Sequence, residues 1–157
     1  MAEEKESQDA RQFSIQKIYV KDVSFETPNT PEVFTQDWEP EMEFDLGSTT
    51  QRIREDVYDV TLKVTLTVKL GDKTAYLIEV GQAGIFAAKG FPENELSHLV
   101  RSYCPSILFP FARQVVADLV SQGGFPPMIL APVNFDALYA QEVERLKNAE
   151  PVSTMSH

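Results

Sequence analysis

At 157 residues, with 43% hydrophobic and 24% charged side chains, the chain is long and apolar enough for one domain with a core of its own. Its formal net charge of -10, with no Lys/Arg cluster to offset it, excludes nucleic acid as a natural partner and favours partners with basic segments. The single cysteine, Cys104, cannot form an internal disulfide and suits a reducing cytoplasm. No run approaches the roughly 18 apolar residues of a membrane span, and Met1 to Asp9 lacks the apolar centre of a secretory signal.

Residues 1–11 read as a disordered acidic tail, 12–148 as a single α+β domain, and 149–157 as a flexible C-terminal tail. Phe13 to Glu26 is strand-like, with Ile18 and Val20 on one parity and Tyr19, Val23 and Phe25 on the other. Thr27 to Pro40 carries Pro28, Pro31 and Pro40 around Phe34 and Trp38. Prolines so placed exclude a helix or a central strand, which leaves a long connection bearing aromatics.

Alternation then becomes regular. Met42, Phe44 and Leu46 share one parity against Glu41, Glu43 and Asp45. Tyr58, Val60, Leu62, Val64, Leu66, Val68 and Leu70 alternate with polar residues, which predicts a sheet with one buried and one wet face. Gly71-Asp72 is a hairpin signal, and Thr74 to Phe86 returns with Tyr76, Ile78 and Val80 inward and Leu77 and Glu79 outward. From about Glu93 the period changes: Leu96, Leu99, Val100, Tyr103, Ile107, Phe111, Val115 and Leu119 mark a long helical stripe. Pro105 and Pro110 inside it predict a kink or local unwinding, and Gln122-Gly123-Gly124 stops it. Asn134 is an N-cap for a short C-terminal helix with Phe135, Leu138, Tyr139, Val143 and Leu146 on one side. The fold expected is a four-stranded antiparallel sheet with a long crossover loop, then a long proline-containing helix and a short one.

Groups able to do chemistry are sparse. Ser97, His98 and Cys104 are the only nucleophile and base candidates close in sequence, and neighbouring helical positions face different ways. A packed thiol and a surface histidine is the simpler account. One Cys and two distant His lack metal-ligand spacing, so neither metal nor cofactor is expected. Gly81-Gln82-Ala83-Gly84 is too poor in glycine for a phosphate loop and reads as a strand end. The acidic parity of residues 41–45 reads as a solvated face rather than a calcium site. The excess lies on the apolar side. Trp38 and Phe34 sit in a connection, and the first helix carries more apolar surface than one sheet face can cover, which points to oligomerisation and a ligand groove.

At these residues the chain resembles the SecB family of protein-export chaperones, from about Phe13 to Tyr139. The likeness is carried by the run Ile18 to Asn29, by Asp37-Trp38-Glu39-Pro40, by Gly84-Ile85-Phe86, by Tyr103-Cys104-Pro105 through Arg113, and by Leu130-Ala131-Pro132-Val133-Asn134-Phe135-Asp136-Ala137-Leu138. The resemblance implies a homotetramer, a dimer of dimers. It also implies an ATP-independent cytosolic holdase that keeps precursors unfolded and delivers them to the SecA motor ATPase. The family's motor-docking positions fall on Asp22, Glu26, Leu77 and Glu79, and the docked element is the motor's basic zinc-carrying tail. By position the client groove falls on Trp38, Met42, Phe44, Leu46, Phe135 and Leu138. Two departures stand out: Ile78 where relatives often have cysteine, and a C-terminal stretch without acidic character. Two other readings remain open: a holdase of this fold devoted to another client, such as an unstable antitoxin, and a small-molecule enzyme or carrier using the groove. The first is disfavoured by the intact docking positions and the second by the sparse chemistry.

Overall fold

The computed structural model describes residues 11–155, with side chains described through Asn148. Of the expected N-terminal tail, residues 1–10 lie outside the described residues, while Arg11 Nη1 pairs with Glu95 Oε2 at 3.0 Å. Four antiparallel strands, β1 (Gln12–Glu26), β2 (Glu41–Arg54), β3 (Val57–Leu70) and β4 (Lys73–Lys89), form one sheet in the order β1-β4-β3-β2. The Gly71-Asp72 hairpin joins β3 to β4 as expected, with Gly71 at φ 64 supplying the left-handed residue a two-residue turn requires. The strict alternation of β3 buries Val60, Leu62, Val64, Leu66 and Val68, and Tyr76, Ile78, Val80 and Phe86 of β4 face the same way. Gly81 to Gly84 lies in the middle of β4, not at its end. Small residues there keep the outer face of the strand low.

The mixed parities of β1 have a specific cause. Register shifts between Ile15 and Lys17 and between Val20 and Asp22 mark two β-bulges. Each bulge inserts one extra residue and so exchanges the faces beyond it. Opposite residues on paired strands share a face. Phe13, Ile15, Ile18, Val20, Val23 and Phe25 stand opposite Ala88, Phe86, Gly84, Gln82, Val80 and Ile78, all on the core side of β4. Two apolar sets of opposite parity thus become one apolar face, and Tyr19 falls on the other.

The long helix is one path in three parts: α1 (Glu93–His98), a π-helical turn (Leu99–Tyr103) and α2 (Cys104–Gln122). The unwinding expected from the prolines takes the form of that wider turn, directly before Pro105 in the first turn of α2. The residues of α2 buried against β3 and β4 are Cys104, Leu108, Ala112, Val116 and Val120. This row is one residue over from the expected stripe, in which Tyr103 and Phe111 are about half exposed. Both rows are apolar, and the one with smaller side chains wins the sheet because it lets the helix approach closely. After α2, Phe125 N–H donates to Val120 C=O and Gly124 adopts φ 83, closing the helix end.

The last helix, α3 (Phe135–Met155), is capped by Asn134, whose Oδ1 accepts from Ala137 N–H at 3.0 Å. It runs longer than the short helix expected, continuing past Asn148; Tyr139 to Asn148 holds good helix formers and no breaker. The side chains of residues 149–155, and residues 156–157 altogether, lie outside the described ones. A polar clasp ties α3 to the long helix. Asp136 Oδ1 accepts from Ser102 Oγ at 2.6 Å and from His98 Nε2 at 2.8 Å, and Tyr139 OH donates to Ser97 Oγ at 3.0 Å. These bonds, the one from Ser102 first, hold the Asp136 carboxyl below its ordinary pKa, and its place in the first turn of α3 suits a negative charge.

Because folding favours ionised Asp136, its contribution is complete above about pH 4 and drains away as pH falls through the lowered value. The denaturant midpoints of wild type and Asp136→Asn should therefore differ at pH 6 and converge only as pH falls through the lowered carboxyl value; a constant gap would show that ionisation is not what holds α3. At Gly84, an added Cβ would lie 2.7 Å from the ring of buried Phe86 and 3.1 Å from Leu108. Gly84→Ala should cost about 1–3 kcal/mol in chemical denaturation, as overpacking does, and an unchanged midpoint would refute the clash.

Candidate functional site

Nothing in the long helix builds a reactive centre from Ser97, His98 and Cys104. Cys104 is fully buried among core side chains, and burial pushes its thiol up to about 12, so it stays protonated and inert. Ser97 and His98 are engaged with Tyr139 and Asp136 in the α3 clasp. Among the described residues no group of three or more His, Cys, Asp or Glu could hold a metal ion, and no helix is long and apolar enough to cross a membrane. The surfaces that stand out lie on opposite faces of the sheet.

On the helix side, the edge strand β2 turns Met42, Phe44 and Leu46 to the core face, opposite Val68, Leu66 and Val64. The face is right but the cover is missing: Met42 is 52% and Phe44 40% exposed. Successive side chains on this face stand about 7 Å apart, so the three make a strip along the strand. At the Leu46 end the strip opens into a trough of about 790 Å³ between β2 and α3, bordered by Leu46, Val100, Phe135, Leu138 and Tyr139. Phe135 is a correction in emphasis. It is only 8% exposed and packs edge-on against Phe109 at 5.7 Å, so it forms the trough's floor and offers little contact surface. Leu138, at 43% exposed, offers more.

Trp38, Met42 and Phe44 do not border that trough. Trp38 packs over the crossover loop's anchor, Phe125, at 5.8 Å between ring centroids, beside Phe34 at 5.0 Å from the same ring. The six expected groove residues therefore fall in two zones: an aromatic one at the loop end and, under α3, one whose more exposed expected members are the aliphatic Leu46 and Leu138. Sequence reading missed Phe125, because its Gly124-Phe125-Pro126-Pro127 setting signals only a turn. It also missed the polar wall of the trough, Arg101, Gln141 and Arg145, since charged residues on a helix ordinarily mark solvent.

On the outer face, pairing brings Asp22, Glu26, Leu77 and Glu79 together as expected. Glu26 stands opposite Leu77, Ser24 opposite Glu79 and Asp22 opposite Gly81, three consecutive outward rungs of the β1–β4 ladder. The second bulge precedes Asp22, so the spacing from Asp22 to Glu26 still keeps one face. Lys63 Nζ, from β3, lies 3.9 Å from Glu79 with both side chains largely in solvent, a pair worth little. The patch is thus an acidic, solvated surface with one apolar member, Leu77.

Comparison with known proteins identifies the family. A family model described as SecB, preprotein translocase subunit SecB, matches residues 6–146. The protein-export protein SecB of Methylococcus capsulatus is 60% identical over 151 residues, covering 96% of this chain and 97% of its own. That of Nitrosococcus oceani is 61% identical over 140 residues, covering 88% of this chain and 85% of its own. Among solved structures, a SecB-like chaperone of Mycobacterium tuberculosis, in complex with an antitoxin peptide, shares the fold at TM-score 0.61. The two chains are 18% identical, and the match covers 82% of this chain and 94% of that one. With a family match spanning the whole sheet and nearly all of the helical layer, and sequence identity at this level, the chain belongs to the SecB family of protein-export chaperones.

Proposed function

We propose that the protein is an ATP-independent cytosolic holdase that binds unfolded precursor proteins, keeps them competent for translocation and delivers them to the SecA motor ATPase. The observation that carries this reading is the apolar strip of exposed Met42 and Phe44, running to half-buried Leu46, on an edge strand, with an acidic patch on the opposite face of the same sheet. An edge strand offers unpaired backbone groups beside its side chains, so an extended client can bond along β2 while its apolar residues enter the aromatic and aliphatic zones. Recognition of that kind depends on apolar area and backbone, not on one sequence. The protein-export relatives support it, as does the fold neighbour's antitoxin peptide, which is a polypeptide ligand on this architecture.

In this reading the working unit is a homotetramer, a dimer of dimers. The half-exposed outer row of the long helix, with Tyr103 and Phe111, and the uncovered Ile15, Val20 and Val23 of β1 supply apolar surface for such contacts. Four copies let weak contacts along one client chain add as avidity. Asp22, Glu26, Leu77 and Glu79 form the motor-docking surface and receive its basic zinc-carrying tail, so the zinc is the partner's. A second reading is a holdase of this fold dedicated to one client, as an antitoxin would be. The fold neighbour's ligand favours it, and the intact acidic patch favours export.

The decisive experiment mixes the pure protein with a denatured precursor and the motor, following refolding delay and complex mass. Glu79→Lys should weaken motor binding by roughly tenfold or more at low salt while leaving refolding delay unchanged; undiminished affinity would contradict the docking surface. Trp38→Ala and Phe44→Ala should each weaken client capture about fivefold, the scale of an interface anchor. If both mutants delayed refolding as wild type does, the strip would not be the client surface.

A further inference from the structure

Of the two lysines on the outward side of β1, Lys17 stands opposite Ile85, away from the acidic rungs, whereas Lys21 sits beside them with the wrong sign for an acidic docking face. Lys21 borders the same outer trough, of about 310 Å³, as Asp22, Lys63 and Glu79. Gly81 lies between β1 and β3 at this level and presents no side chain to block its movement toward either acid. A lysine resting on Asp22 or Glu79 would cancel charge that a basic partner needs.

It is held elsewhere. Lys21 is the extra residue of the second bulge, and bulges re-aim side chains. Its Nζ lies 2.6 Å from Asp59 Oδ2 and donates to Thr61 Oγ1 at 3.1 Å, both on β3 beyond β4. Tyr19 OH reaches the same carboxylate, donating to Oδ1 at 2.6 Å. Gly81 and Ala83 make β4 low enough for the two β1 side chains to lie across it. Asp59 is 6% exposed, and Lys21 is the one cation in salt-bridge contact with it among the described residues.

The energetics set the direction of the choice. A buried carboxylate that loses its cation is strongly penalised, whereas an exposed pair with Asp22 or Glu79 gains little. Lys21 therefore stays on Asp59. Its ammonium is pushed to a raised pKa, chiefly by that hydrogen bond and against the effect of burial. The Tyr19 hydroxyl is raised too, first by burial and then by Asp59, so it remains a donor.

We propose that Asp59, assisted by Tyr19, is a positioning residue for the acidic docking face: it sequesters Lys21 so that Asp22 and Glu79 are not neutralised from within. This rests on the docking reading above. The test is the affinity of full-length protein for the zinc-loaded tail peptide of the motor at low salt. Asp59→Asn should weaken binding roughly threefold to tenfold, and adding Lys21→Gln should restore it to within about twofold of wild type. Refolding delay of a client should be unchanged in both. Wild-type affinity in Asp59→Asn, or no rescue in the double variant, overturns the proposal. If Asp59→Asn does not fold, Lys21→Gln alone decides: affinity within about twofold of wild type supports a lysine already silent, and a gain beyond about threefold refutes it. Glu79→Lys run alongside separates the two ideas, since unweakened binding there would mean that the docking surface itself is misplaced.

Discussion

A single helix cannot cover four strands. An α-helix with its side chains is about 10–12 Å across, whereas the outermost of four strands lie about 14 Å apart between axes. α2 packs on β4 and β3, and the largest fully buried side chains of the sheet belong to these two strands. Both edge strands are left partly bare on a face that their sequences make apolar. A monomer with Met42, Phe44, Ile15 and Val20 uncovered carries surface that an ordinary soluble domain would hide. Each exposed strip follows from the width of the helical layer rather than from a local motif.

The two faces of the sheet differ in chemical character. The helix side offers apolar area and an unpaired strand edge, suited to partners without a fixed shape. The outer side offers charge at defined rungs, suited to a partner of fixed composition and opposite sign. Period two keeps the surfaces apart, because a residue that contributes to one cannot contribute to the other. The outer face also contains its own correction, with Asp59 and Tyr19 drawing Lys21 across the low surface of β4. A buried ion pair is a weak source of stability, and its value here lies in where it puts a charge.

The α3 clasp connects helix geometry to the apolar side of the sheet. The π-helical turn carries Ser102, which is fully buried yet reaches Asp136 at the start of α3. With His98 one turn earlier and Ser97 bound to Tyr139, polar bonds fix the angle at which α3 overhangs β2. The trough depends on that angle, since Leu46 comes from the strand while Leu138 and Tyr139 come from the helix.

Much was legible in the residues alone. Strict alternation in β3 and β4 predicted the sheet, its inward set and the outward placement of Leu77 and Glu79. The Gly71-Asp72 turn, the Asn134 cap and the proline-disturbed helix were equally local signals, and each reflects backbone chemistry that needs no partner. Family likeness located the candidate surfaces, and parity alone already put Asp22 with Glu26. Other features required the folded chain. Bulges leave no sequence mark, so only pairing with β4 could merge the parities of β1 into one apolar face. Two apolar rows ran along the long helix, and the choice of Cys104, Leu108, Ala112 and Val116 for the core depended on how closely helix and sheet could approach. Asp59 looked like one more solvated acid on a wet face until the bulged strand brought Tyr19 and Lys21 to it. Sequence by itself determined what can be settled by neighbours along the chain; tertiary structure decided which surfaces stay uncovered and which charges are paired, because those outcomes depend on widths, registers and distances between segments far apart in the chain.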